Sequence, residues 1–196
     1  MKSKERILFE AFKLYSVKSY TDVTFSDLEV ATNLSRGAIL FHFKKKEEIF
    51  KKVIESYIFS RSSIATVEDE YRQSLYSFIK RFVEQCKIRV AEGKEISINN
   101  INLAMLHLES SGFNYYPGMQ KKAKEWYENE LSIWKKVITD SIESKELKED
   151  VDADTFSRVF EDLYLGTSFV GITRRYGLSV ENLEKNLLTV YNSIKA

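Results

Sequence analysis

The chain has almost nothing that bends or staples a backbone. Pro117 is its only proline, Cys86 its only cysteine, and seven glycines are spread over 196 residues. A lone cysteine makes no internal disulfide, so the fold must hold without covalent cross-links. The two histidines, His42 and His107, are far apart and do not suit a His-based metal site. There is no HExxH, no paired-cysteine motif, no phosphate-binding glycine loop and no nucleophile elbow, so neither an enzyme nor a cofactor is expected. No apolar run approaches the roughly 18 residues of a membrane span. The N-terminus is charged and lacks the apolar stretch of a secretory signal. A cytoplasmic location is the expectation.

What is present is helical. The chain is 43% hydrophobic, enough for a real core, and its β-branched residues are scattered rather than alternating. Ile7, Leu8, Ala11, Phe12 and Tyr15 recur at helical spacing and predict a first helix over about 3–17. Thr24 with Asp27 three positions on reads as an N-cap with an acidic first turn. Asn33 can end that short second helix, because asparagine tolerates a left-handed backbone. Ser35 caps a third helix reaching about Phe43, and Lys45 or Lys46 opens a fourth running toward Ser60. Longer helices follow. Leu75, Phe78, Ile79, Phe82, Val83, Cys86 and Val90 form one apolar stripe. Others are expected near 99–110, 119–144, after Asp152 or Asp154, and around Leu183 to Ile194. The expected architecture is all-α, about nine helices, with domains at 1–50 and 51–196 and the boundary inside the fourth helix.

Net charge is +1. Residues 1–57 carry 11 basic against 8 acidic side chains, and the basic ones gather at Arg36, Lys44, Lys45, Lys46, Lys51 and Lys52. A local basic cluster on a near-neutral chain suits a polyanion. Helices two and three, joined by about four residues, make a helix-turn-helix arrangement. Leu28, Leu34, Ile39 and Phe43 can face the first helix, leaving Arg36, Ala38, Leu40, Phe41 and His42 outward. Such a short helix flanked by cations fits a DNA major groove.

These residues resemble the TetR family. Ser35, Gly37, His42, Phe43, Lys46, Glu47 and Ile49 match its signature S-x-G-x-L-Y-x-H-F-x-x-K-E-x-L, and Leu14, Tyr15, Tyr20, Thr24 and Leu28 extend the match upstream. The resemblance covers about the first 55 residues. It implies a three-helix DNA-reading domain, then a helical domain that dimerises and often holds a small ligand, in proteins that are mostly repressors released from DNA by that ligand. It also implies that Thr24 contacts a phosphate, that Ser35, Arg36, Gly37 and Ala38 lie nearest the bases or backbone, and that His42 and Lys46 contact the backbone. Arg36 is the expected base reader, since a guanidinium pairs bidentately with guanine. The chain departs from the pattern at Leu40 and Phe41, which lack the usual tyrosine hydroxyls, at Asn33 and Ser19 in place of glycines, and at Glu29 in place of alanine. Leu40 and Phe41 would read shape or thymine methyls. The alternative is that Phe41 packs beside Tyr20 or the fourth helix. Glu29 either tilts out to pair with Arg36 or a lysine, or sets the helices further apart.

In the second domain, aromatic residues including Phe82, Tyr115, Tyr116, Trp126, Trp134 and Tyr164 are the candidate pocket lining, although aromatic stripes are usually core. The segment 113–118 is expected as an aromatic turn, either a pocket mouth or an ordinary loop. His107 reads as a core or interface histidine and Cys86 as a buried, inert thiol. Phe160, Tyr164, Thr167, Val170, Leu187 and Tyr191 are the candidate dimer interface, with two helices per subunit forming a four-helix contact as the resemblance implies. The expected partners are an operator duplex, a second copy and a small-molecule effector. An activator, a regulator without a ligand switch, and a helical carrier or enzyme stay open as alternatives.

Overall fold

The computed structural model describes residues 2–60 and 64–196, and among these the chain is all-helical. The helices are α1 (Ser3–Tyr15), α2 (Phe25–Thr32), α3 (Arg36–His42), α4 (Lys46–Ile54), α5 (Leu75–Glu95), α6 (Ile101–Tyr115), α7 (Met119–Glu143), α8 (Ala153–Gly171) and α9 (Val180–Ile194). They fall into two compact units. The first joins residues 2–60 to 103–123, and the second joins 64–102 to 124–196.

The first unit is built around α1, which packs on α2, α3 and α4. Ile7, Ala11 and Phe12 recur at helical spacing and are fully or almost fully buried, as are Leu28, Ile39, Ile49 and Phe50. Each of the isoleucine, leucine and phenylalanine side chains contributes roughly 1.5–3 kcal/mol by leaving water. Tyr15 meets the Phe50 ring edge-on at 5.0 Å, and Tyr20 meets Phe50 at 4.8 Å. α4 does not run on to Ser60 as an α-helix. Its register slips into a π-turn over Glu55–Ser60. The end of α6 belongs to this unit. A Cβ at Gly112 would lie 3.3 Å from Ile54, so glycine lets α6 approach α4. The aromatic turn is shorter than expected. Phe113 and Tyr115 finish α6, and only 116–118 turn, with Gly118 at φ +83°. Tyr116 donates its hydroxyl hydrogen to Glu55 at 3.2 Å.

The second unit centres on Trp134. It stacks on Phe160 at 5.1 Å, meets Phe78 edge-on at 4.9 Å, and donates its indole N–H to Glu161 at 3.0 Å. α9 packs on both α5 and α8. Two short 3-10 turns, Ile64–Thr66 and Asp69–Gln73, precede α5 and carry no strong periodic signal. α5 is held at its start by Ser74 and by the Glu146 carboxylate, which accepts the Leu75 and Tyr76 N–H groups at 3.1 and 2.9 Å. Asn100 donates its amide to the carbonyls of Gly171 and Arg174, closing the end of α8. Cys86 is buried, and burial raises its thiol pKa.

Candidate nucleic-acid interface

Each short helix of the first unit is locked by its own cap. Thr24 Oγ accepts the Asp27 N–H at 3.1 Å, and Asp27 Oδ2 accepts the Thr24 N–H at 2.8 Å. This reciprocal pair satisfies two donors that a helix start leaves bare. Lys18 adds an ion pair at 2.8 Å, and these contacts hold the Asp27 carboxyl well below the usual range, the Lys18 hydrogen bond contributing most. α2 ends at Asn33 with φ 50°, the left-handed turn its sequence promised. Ser35 then caps α3 through the Ala38 N–H at 3.3 Å.

α3 splits its faces cleanly. Ile39 is fully buried and Phe43 nearly so. Phe41 is 77% exposed, and it touches its neighbour His42 edge-on at 5.2 Å. Its outward position excludes burial beside Tyr20 or α4. Arg36 and Gly37 are exposed, and Ala38, Leu40 and His42 are half-buried. A Cβ placed on Gly37 would meet nothing closer than Ser35 Oγ at 4.0 Å. The chain's own packing therefore does not require a glycine there. An external surface pressed against α3 would. Val30 on α2 is 84% exposed, an apolar side chain opposite the buried Leu28 and Thr32. Sequence reasoning passed over it, although its place off the buried stripe was a readable signal. Lys44 and Lys45 are exposed beside this face.

Two residues have partners within the chain that the sequence did not indicate. Lys46 is half-buried, donates to the carbonyls of Tyr20 and Val23 at 2.7 Å each, and lies 4.4 Å from the Tyr20 ring centroid. Two of its three protons thus tie α4 to the loop before α2. Burial lowers its pKa. Glu29 neither swings into solvent nor pairs with a cationic side chain. Its carboxylate accepts the backbone N–H of Arg36 at 2.7 Å, and the Arg36 guanidinium lies 5.1 Å from the Phe25 ring centroid.

The candidate pocket residues fall in both units. Tyr115 and Tyr116 belong to the first unit, where Tyr115 meets Tyr20 at 5.0 Å. Phe82 and Trp134, in the second, are fully buried against each other at 6.1 Å and serve as core, and Phe82 meets Tyr164 at 4.9 Å. Trp126 is half-buried, with an indole N–H that has no hydrogen-bond partner among the described residues. The interface candidates also divide. Phe160 and Leu187 are fully buried in their own chain and cannot face a second copy, and Tyr164 is nearly as buried. On α8, Phe160 stacks on Trp134 and Tyr164 meets Phe82 edge-on. Tyr191 is half-buried against Tyr76 at 5.6 Å. Thr167 donates to its own Leu163 carbonyl. Val170 is 50% exposed, and Phe169 is 62% exposed. Among the described residues no cluster of His, Cys, Asp or Glu suits a metal, and no helix is long and apolar enough to cross a membrane.

Residues 7–53 match the family model of bacterial regulatory proteins of the tetR family. IcaR of Staphylococcus epidermidis, the negative transcriptional regulator of the biofilm operon icaADBC, is 29% identical over 83 residues, which are 41% of this chain and 45% of that one. The match thus spans under half of that relative's length. Two solved structures share the fold nearly throughout. A TetR transcription regulator from Haloarcula marismortui has a TM-score of 0.73 at 17% identity, covering 99% of this chain and 98% of its own. The SmeT–triclosan complex has a TM-score of 0.72 at 13% identity, covering 99% and 92%. The profile match falls on the capped helices that present Gly37 and Phe41, so residues 7–53 are similar to the bacterial regulatory proteins of the tetR family, and the likeness of fold to the two solved structures continues through α9.

Proposed function

We propose that this chain is a homodimeric repressor that reads operator DNA with α3 and leaves it when a small molecule binds in the helical second domain. The observation that carries the DNA reading is the outward face of α2 and α3. Phe41 and Val30 are exposed, Gly37 has an open approach, and lysines flank them. A monomer gains nothing from presenting this much apolar surface, whereas a major groove offers thymine methyls to it and phosphates to Lys44 and Lys45. Arg36 is the base reader. Thr24, Ser35, Ala38, Leu40, His42 and Lys46 lie along the same contact.

The second copy docks on α8. Val159, Gly166, Phe169 and Val170 follow one another at helical spacing and are exposed on one face. Two half-sites a helical turn apart then double the contacts that one seven-residue helix can make. The effector reading is supported by two buried polar atoms without partners among the described residues, Trp126 Nε1 and Glu161 Oε1. Buried polar groups are almost always satisfied, so both suit a polar molecule between helices. SmeT, of like fold, is known as a complex with triclosan. Fluorescence anisotropy with DNA from upstream of the protein's own gene tests the DNA reading, and release of that DNA across a small-molecule panel tests the switch. A panel that shifts neither DNA affinity nor melting temperature contradicts the effector reading alone.

A further inference from the structure

The contact between Glu29 and Arg36 reaches beyond the family pattern, because it gives a role to a residue that departs from it. α3 has only seven residues, and its first N–H groups lack partners within the helix. Two are taken by the chain itself. Ser35 Oγ accepts the Ala38 N–H at 3.3 Å, and Glu29 Oε1 accepts the Arg36 N–H at 2.7 Å. The second bond crosses the turn and ties the body of α2 to the first residue of α3. Arg36 is held a second time, by its guanidinium against Phe25 on α2. Backbone and side chain of the same arginine are thus both anchored on α2. Among the described residues, the turn between them, with Asn33 in the left-handed region, is crossed by no other side-chain hydrogen bond.

We infer that Glu29 is a positioning residue for DNA reading: it fixes the backbone of Arg36 so that the guanidinium meets one base rather than many. The inference rests on the DNA-reading proposal above. A carboxylate on the Arg36 N–H also means that this amide is not a phosphate anchor. Glu29 therefore contributes discrimination, and its charge slightly opposes overall affinity for DNA. Removing the carboxylate and removing its charge have different effects. Glutamine keeps an acceptor oxygen for the Arg36 N–H and loses the charge. Alanine loses both.

The test uses the full-length protein and a duplex selected from a randomised library by the parent. Anisotropy gives the affinity of parent, Glu29→Gln and Glu29→Ala for that duplex and for a scrambled one, with melting temperatures measured alongside. Glu29→Gln keeps the parent's ratio of selected to scrambled affinity. Glu29→Ala lowers that ratio about tenfold while binding the scrambled duplex as well as or better than the parent. Phe25→Leu, which removes the ring under the guanidinium but keeps an apolar side chain, lowers the ratio as well. An unchanged ratio in Glu29→Ala overturns the inference, as does an equal loss in Glu29→Gln, which would make charge the cause. A parent that selects no sequence overturns the DNA reading itself.

Discussion

At the scale of single residues, exposure separates what the chain needs for itself from what it offers. Phe41 costs the folded chain solvent contact and gains it almost nothing, so Phe41→Ala leaves the melting temperature within a degree or two of the parent. Operator affinity should fall about tenfold or more, in line with roughly 1–3 kcal/mol for a good base contact. Phe41→Tyr keeps the ring, and should bind at least as tightly. Gly37→Ala sharpens the same logic. A methyl group there meets nothing closer than Ser35 Oγ at 4.0 Å, and alanine favours a helix by about 0.5–1 kcal/mol over glycine. The variant is expected to melt slightly higher and to bind DNA more weakly, and a variant that binds normally would show that nothing approaches α3 at that point. Glu161 is the opposite case, a residue the fold tolerates at a cost. Burial, opposed by the Trp134 hydrogen bond and aided by Glu130, pushes its carboxyl up to about 7 from 4.5. A carboxyl whose folded pKa is raised holds its proton more tightly when folded, so stability falls as pH rises from about 4.5 to about 7 and is level above that. The difference is about 3 kcal/mol at most. Glu161→Gln removes this slope, and unfolding midpoints at pH 5 and 8 measure it. The parent loses stability between the two and the variant does not.

At the scale of elements, caps and apolar stripes were legible, and their interruptions were not. Thr24 with Asp27, Asn33 and Ser35 each announced a local geometry that depends on adjacent residues alone, and each is found as read. The periodic run from Leu75 to Cys86 likewise marks the buried face of α5. What periodicity cannot report is which of two apolar faces looks inward. Phe160 and Val170 share a helix and a similar character, yet only the packing of Trp134 and Phe78 sends one to the core. The same limit hid the role of Glu29, since a glutamate seven residues from its partner across a turn has no local signature. Nor could the sequence indicate that Lys46 turns back onto Tyr20 and Val23, because carbonyls leave no trace in side-chain identity. Long-range caps are the clearest element-scale test. Glu146 closes the start of α5 from some 70 residues away. Glu146→Ala should lose about 1–2 kcal/mol in a urea titration, the range of a lost helix cap. A loss below a few tenths would mean that water replaces the carboxylate without penalty.

At the scale of the whole molecule, reading two half-sites requires two copies. Phe169 and Val170 on α8 are exposed apolar residues beside Gly166, and a charge placed among them should not survive a tight interface. Phe169→Glu is expected to sediment as a monomer at micromolar concentration, with melting of the monomer little changed. Its operator affinity should drop far more than that of any single change on α3, because the second half-site is lost. Dimeric Phe169→Glu would move the interface elsewhere. The central claim, that the first unit reads duplex DNA, is tested most directly by anisotropy of the parent and of a Lys44→Ala, Lys45→Ala variant on upstream DNA across a series of salt concentrations. Each phosphate contact releases counterions, so affinity should fall linearly with log salt. The account predicts salt-sensitive binding by the parent, and a weaker, shallower dependence in the variant at an unchanged melting temperature. Absence of binding at low salt, to upstream DNA and to a randomised duplex pool alike, would contradict it.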